Sequence, residues 1–203
     1  MTSGETISLS ARFFFQRGYL DQAEASFRLA LRDDPSSAEA HYGLGSVYLK
    51  QDKTSAARDS FERVVKLAAS YPDTLPNAWN NLGLLDTRAG RTDEASGCFQ
   101  VALRQSPDYL IALENLGNAY RQQKRWEEAR RTLERALAVR PQDPEANYSL
   151  GMVFAQTEET GRAYEYLQRA LHSRPAYPEA LNNLGVLYRE LSVSLHEPGV
   201  HSW

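Results

Sequence analysis

The side chains able to do covalent or metal chemistry are few, and their spacing does not suit it. The single thiol, Cys98, precedes Phe99 on an apolar helical stretch with no histidine in a comparable register, so it reads as an inert, partly buried group. The histidines of His196-Glu197-Pro198-Gly199-Val200-His201 are five apart, and Pro-Gly keeps them off the single helical face that a His-Glu-x-x-His zinc site needs. Gly43-Leu44-Gly45 is followed by Tyr48 where a dinucleotide-binding turn needs its third glycine, and no strand precedes it. The pairs Glu127-Glu128 and Glu158-Glu159 fall at helix starts, where carboxylates complement the helix dipole. No catalytic, cofactor-binding or metal-binding residue is expected, and the chain reads as a non-enzyme. What remains is recognition chemistry. Asn81, Asn115 and Asn183 each offer a donor and an acceptor, and Arg88, Arg121 and Arg189 offer forked cations.

Composition narrows the partners. The 203 residues are 42% hydrophobic and 24% charged, enough apolar surface for a substantial core. A net charge of -3 gives no positive field for counterion-driven nucleic-acid binding. One cysteine cannot form an internal disulfide. The start, MTSGETISLS, carries an acid where a signal peptide needs a base, and no window approaches the roughly 18 apolar residues of a membrane span. The expected location is cytoplasmic, with neither nucleic acid nor membrane as partner.

The elements that must hold the amides in place are set by a period. Gly45, Gly83, Gly117, Gly151 and Gly185 recur at spacings of 38, 34, 34 and 34. Twelve residues after the first four stand Ala57, Ala95, Ala129 and Ala163, followed four later by Phe61, Phe99, Leu133 and Leu167, and three later again by Val64, Ala102, Ala136 and Ala170. Counting back from Gly45 by one period gives a degenerate first unit with Ala11, Ala23, Phe27, Ala30 and Pro35. Apolar spacing of three and four makes each unit two amphipathic helices. Turns are expected at Gly18, Gly90, Asp52-Lys53, Gln123-Lys124 and Glu158-Glu159, and Pro107, Pro141 and Pro175 close their units. A glycine inside a helix costs roughly 1 kcal/mol against alanine, so its recurrence implies close helix approach.

This pattern resembles the tetratricopeptide repeat, with Trp79, Leu82, Gly83, Ala95, Phe99, Ala102 and Pro107 matching W-x2-L-G-x2-Y, A-x3-F, A and P in one unit. The resemblance implies an all-α, right-handed superhelical solenoid of antiparallel helix pairs. The expected divisions are a leader at 1–3, repeats at 4–37, 38–71, 76–109, 110–143 and 144–177, an insertion at 72–75, half a sixth repeat at 178–191, and an irregular tail at 192–203. Leu67 to Tyr71 are expected to prolong one second helix, which Pro72-Asp73 and Pro76 would stop, and Tyr19 and Trp126 to pack in the seam between helices.

The family's concave face is lined by first helices and commonly holds an extended peptide or a partner helix. The resemblance places Tyr42, Asn80, Asn81, Arg88, Asn115, Asn118, Arg121, Tyr148, Asn182, Asn183 and Arg189 on that face. Asn81, Asn115 and Asn183, interrupted by Ser149, look like the asparagine ladder of O-linked N-acetylglucosamine transferase superhelices. Chaperone-binding members clamp a dicarboxylate with lysines three and six before the glycine. No unit here has the first, and the second slot holds Glu5, Glu39, Asn77, Ile111, Glu145 and Glu179, so no such clamp is expected. The reading is a non-enzymatic scaffold for a protein or peptide ligand. Two alternatives are the substrate-selecting portion of a larger, glycosyltransferase-like enzyme, and self-association through Leu181, Leu184, Leu187 and Tyr188 of the half repeat.

Overall fold

The computed structural model describes residues 3–67 and 75–196, with side chains from 7 to 67 and from 75 to 189. Among the described residues there are eleven helices and no strand: α1 (Ser3–Gln16), α2 (Leu20–Asp33), α3 (Ala38–Lys50), α4 (Thr54–Lys66), α5 (Leu75–Arg88), α6 (Thr92–Gln105), α7 (Leu110–Gln122), α8 (Trp126–Val139), α9 (Pro144–Gln156), α10 (Thr160–Ser173) and α11 (Pro178–His196). The chain divides into two compact units, 1–112 and 113–203. In the first, α1 packs on α2, α3 on α4 and α5 on α6, and each pair packs on the next through α2–α3 and α4–α5. In the second, α8 packs on α9, α9 on α10 and α10 on α11.

The recurring glycines are where helices of a pair touch. A methyl group placed on Gly45 would lie 2.7 Å from the Phe61 ring, and one on Gly83 only 2.5 Å from Phe99. In the second unit Gly117 faces Leu133 in the same way, at 2.6 Å. The alanines flanking each bulky residue are closed off equally: Ala57, Ala95, Ala129 and Ala163 have no exposed surface. The repeats of Gly45, Gly83, Gly117 and Gly151 thus each have a small local core of one large side chain seated in a backbone notch.

The five turns within pairs share one geometry. Gly18, Asp52, Gly90, Lys124 and Glu158 all have positive φ, between 56° and 79°. The next residue donates its backbone N–H across the turn, as in Lys53 to Tyr48 O, Arg91 to Asp86 O, Arg125 to Tyr120 O and Glu159 to Phe154 O, each at 2.9 Å. This six-to-one bond satisfies a carbonyl that the helix end would otherwise leave open. The second helices of the pairs start with no side-chain cap. Ser37 and Asp143, by contrast, cap α3 and α9 by accepting from Ala40 and Ala146 N.

Four expectations need correction. α4 ends at Lys66, and Leu67 is its C-cap, its N–H bonding the carbonyls of Arg63 and Val64, so the helix is not prolonged there. Residues 68–74, with most of the expected insertion, lie outside the described residues. Pro76 stops nothing: it is the second residue of α5, a first-turn site where a missing N–H breaks no bond. α11 runs to His196, five residues past the expected end at 191, because no glycine or proline intervenes before Pro198. Tyr19 is 54% exposed and not in a seam, whereas Trp126 is half-buried. The rest of the tail, 197–203, lies outside the described residues.

Candidate functional site

In the first unit, Tyr42 on α3 is half-buried against Phe61, their ring centroids 5.6 Å apart. Asn81 on α5 donates from Nδ2 to the Tyr42 hydroxyl at 3.3 Å. Its carbonyl oxygen and second N–H take no part in that bond, so the couple fixes the amide and leaves recognition capacity. Arg88 stands apart, exposed, with Nη1 3.9 Å from Asp52 Oδ1 near a turn. Asn80 is a correction: at 3% exposure it belongs to the packing and presents nothing to a ligand.

The second unit repeats the couple. Asn183 on α11 donates to the Tyr148 hydroxyl on α9 at 3.2 Å, and also to the carbonyl of Glu179 at 2.8 Å. Both bonds are donated by Nδ2, so what this amide keeps for a ligand is acceptor capacity. Tyr148 also packs on Tyr177, with centroids 5.0 Å apart, and burial pushes the Tyr177 hydroxyl up to about 12, helped by Glu145 and Tyr148. Asn118 accepts from Ser149 Oγ at 2.8 Å, so the serine that interrupts the asparagine row is joined to a neighbouring amide. Asn115 and Arg121 are half-buried, while Asn182 and Arg189 are exposed.

Sequence reasoning missed Tyr177 and the state of Glu114. Tyr177 stands two after Pro175, as Tyr109 does after Pro107, and that shared slot was a usable signal. Glu114 is three before its glycine, in line with Tyr148. Burial pushes its carboxyl up to about 8, reinforced by Asp143 and then Glu145, while Arg140 opposes the shift. A carboxyl that keeps its proton can donate, and the side-chain hydrogen bond that helps to raise Glu114 runs to Asp143.

The thiol has no reactive setting. Cys98 Sγ lies 3.7 Å from Asp86 Oδ2, and burial together with that carboxylate pushes the thiol up to about 11. Asp86, 4% exposed, takes Arg58 Nη2 at 2.5 Å and Arg91 Nη2 at 2.7 Å. It occupies the slot three after the glycine, where two other repeats have Tyr48 and Tyr120 under Lys53 and Arg125, at 5.5 and 4.5 Å from the ring centroids. The same cation slot serves an aromatic face in two repeats and a buried carboxylate in the third. Among the described residues no cluster could hold a metal ion, and no helix is long and apolar enough to cross a membrane.

Helix pairs with a glycine notch, a bulky knob and a shared turn define a tetratricopeptide-repeat protein. A family model described as the cilia and flagella-associated protein 70 C-terminal domain matches residues 11–183, and the chain belongs to that family. A curated relative, the chloroplastic tetratricopeptide repeat domain-containing protein PYG7 of Arabidopsis thaliana, is 26% identical over 53% of this chain, which spans only 36% of that protein. Among solved structures, PilW, a type IV pilus biogenesis factor, superposes with a TM-score of 0.76 at 24% identity, over 99% of this chain and 96% of its own. YrrB, described as a TPR protein with an unusual peptide-binding site, gives a TM-score of 0.69 at 24% identity, over 85% of this chain and 87% of its own. At such identities the structures establish the fold.

Proposed function

We propose that the chain is a non-enzymatic scaffold that holds an extended peptide or a partner helix along its first-helix face, through fixed asparagine amides flanked by tyrosines and arginines. The observation that carries this reading is the recurrence of one couple in both units, Asn81 with Tyr42 and Asn183 with Tyr148. A hydrogen bond to a neighbouring repeat orients each amide in advance, which lowers the ordering entropy lost on binding. Asn118 joined to Ser149 adds a third fixed amide. The family's name links its members to cilia and flagella, and we take the chain to act in the cytoplasmic compartment of cells that build them. Neither a nucleic acid nor a lipid surface suits a face of amides, mixed charges and a half-buried acid.

The test is a peptide-display selection against the protein, followed by affinity measurements on the selected peptide. Replacing Asn81 and Asn115 together by alanine is expected to weaken binding by about tenfold or more, since each lost hydrogen bond contributes roughly 1 kcal/mol. Far-UV circular dichroism should remain unchanged. Equal affinity in the double variant would remove the amides from the mechanism.

A further inference from the structure

Four of the five repeat glycines are covered by a large side chain of the following helix; the fifth is not. A methyl on Gly45, Gly83, Gly117 or Gly151 would meet Phe61, Phe99, Leu133 or Leu167 at 2.5 to 3.1 Å, whereas among the described residues one on Gly185 meets nothing within 4 Å. The side chains around that opening are uncovered in step. Tyr188, three after the glycine, is 53% exposed, although Tyr48, Tyr120 and Phe154 in the same slot are 7% exposed or less. Leu181 is 51% exposed. Leu184, beside the glycine, also walls a cavity of about 740 Å³ between α10, α11 and Pro141, whose rim carries Glu165, Gln168 and His172.

We infer that α11 and α10 form a docking socket for an amphipathic helix of a partner protein carrying Ala-x3-Phe or Leu-x2-Ala, whose bulky residue seats on Gly185. The shape of the occupant is given by the same socket in the other repeats. There it is filled by the middle residue of Ala57-Phe61-Val64, Ala95-Phe99-Ala102, Ala129-Leu133-Ala136 or Ala163-Leu167-Ala170. The interface continues the α9–α10 packing by one more helix. A second copy is a poor source, because these helices, and α2 with Phe27 against Gly43, are already seated within their own chain. Residues 197–203 contain no alanine, so the Ala-x3-Phe or Leu-x2-Ala pattern is not among them. The polar rim of Glu165, Arg169 and His172 matches the outer edge of an amphipathic helix, which carries charge beside its apolar stripe.

The probe is a synthetic peptide of Trp126 to Val139, fluorescently labelled and bridged on its solvent face so that circular dichroism shows it helical. Anisotropy titration of the whole protein should give saturable one-to-one binding. Gly185→Leu in the protein should weaken it by about tenfold or more, because the new side chain fills the socket from within. Leu133→Glu in the peptide should do the same without touching the protein's fold. Asn81→Ala should leave it unchanged, which separates this site from the first-helix face. No binding by the helical peptide at about 1 mM would overturn the inference, since that limit corresponds to only roughly 4 kcal/mol. Undiminished binding to Gly185→Leu would do so too. A dimer seen by light scattering and abolished by Gly185→Leu would instead assign the socket to a second copy.

Discussion

A methyl group added at the repeat glycine has opposite consequences depending on what faces it. At Gly83 it would collide with Phe99, which is 1% exposed and has nowhere to retreat. Gly83→Ala gains roughly 1 kcal/mol of helix propensity but overpacks the notch, which costs roughly 1–3 kcal/mol. The expected result in urea denaturation is a net loss of about 1 kcal/mol. Gly185→Ala meets none of the described residues and keeps the propensity term alone, so it should stabilise by about 1 kcal/mol. The glycine register was legible because the period repeats it, but the empty socket was not, since Gly185 looks like its fellows in sequence. The slot three before the glycine shows a similar limit. Tyr42 and Tyr148 are long enough to emerge there, whereas Asn80 stays beneath the surface. Helical phase alone put all of them on one face.

At the scale of the helix pair, the backbone of the turn decides which residues are tolerated. Lys124 and Glu158 hold φ of 58° and 62°, a left-handed conformation that costs an L-residue roughly 1 kcal/mol or more. Both are exposed, so their side chains add little in return. Lys124→Gly and Glu158→Gly should each raise stability by about 0.5–1 kcal/mol, less glycine's greater freedom in the unfolded chain. Because they occupy separate turns, the double variant should show near-additive gains in the urea midpoint. Gly90→Ala, at φ 73°, should lose about 1 kcal/mol. Turn positions were legible from glycine and from polar dipeptides, because the connection within each pair is short and recurs at a fixed offset. Helix ends were less so. The expected end of α11 rested on the loss of the Ala/Phe/Ala register, but a helix needs no packing partner to continue through Leu191 to His196 when no breaker intervenes. At Leu67 the error ran the other way: this apolar, helix-favouring residue caps α4 after Lys66 and does not extend it.

Across the molecule the architecture was legible because each repeat makes a local core, so a period in sequence is already a statement about packing. Electrostatics were not, since they depend on which charges the helix pairs bring together. Glu114 shows this within the second unit. From sequence it is one acid among 26 acidic residues, but in the fold it is half-buried beside the N-cap Asp143 and close to Glu145, and its carboxyl is pushed from 4.5 up to about 8. The sign of the consequence follows from proton counts. Between pH 4.5 and about 8 the folded state holds a proton that the unfolded state has lost, so this group lowers stability as pH rises through that window. Below it both states are protonated and the contribution vanishes. Above about 8 both are ionised, and the burial of a charged carboxylate beside Asp143 is felt in full. His41, held below its usual range mainly by burial, acts in the opposite direction near its own titration, so the wild-type profile alone would mix the two. The informative quantity is therefore the difference between wild type and Glu114→Gln, which keeps a neutral hydrogen-bonding group at every pH. Urea midpoints should agree near pH 4 and separate progressively up to pH 8, with the variant the more stable, and then run parallel. A difference independent of pH would mean that Glu114 ionises as an ordinary exposed acid, with no proton held against Asp143.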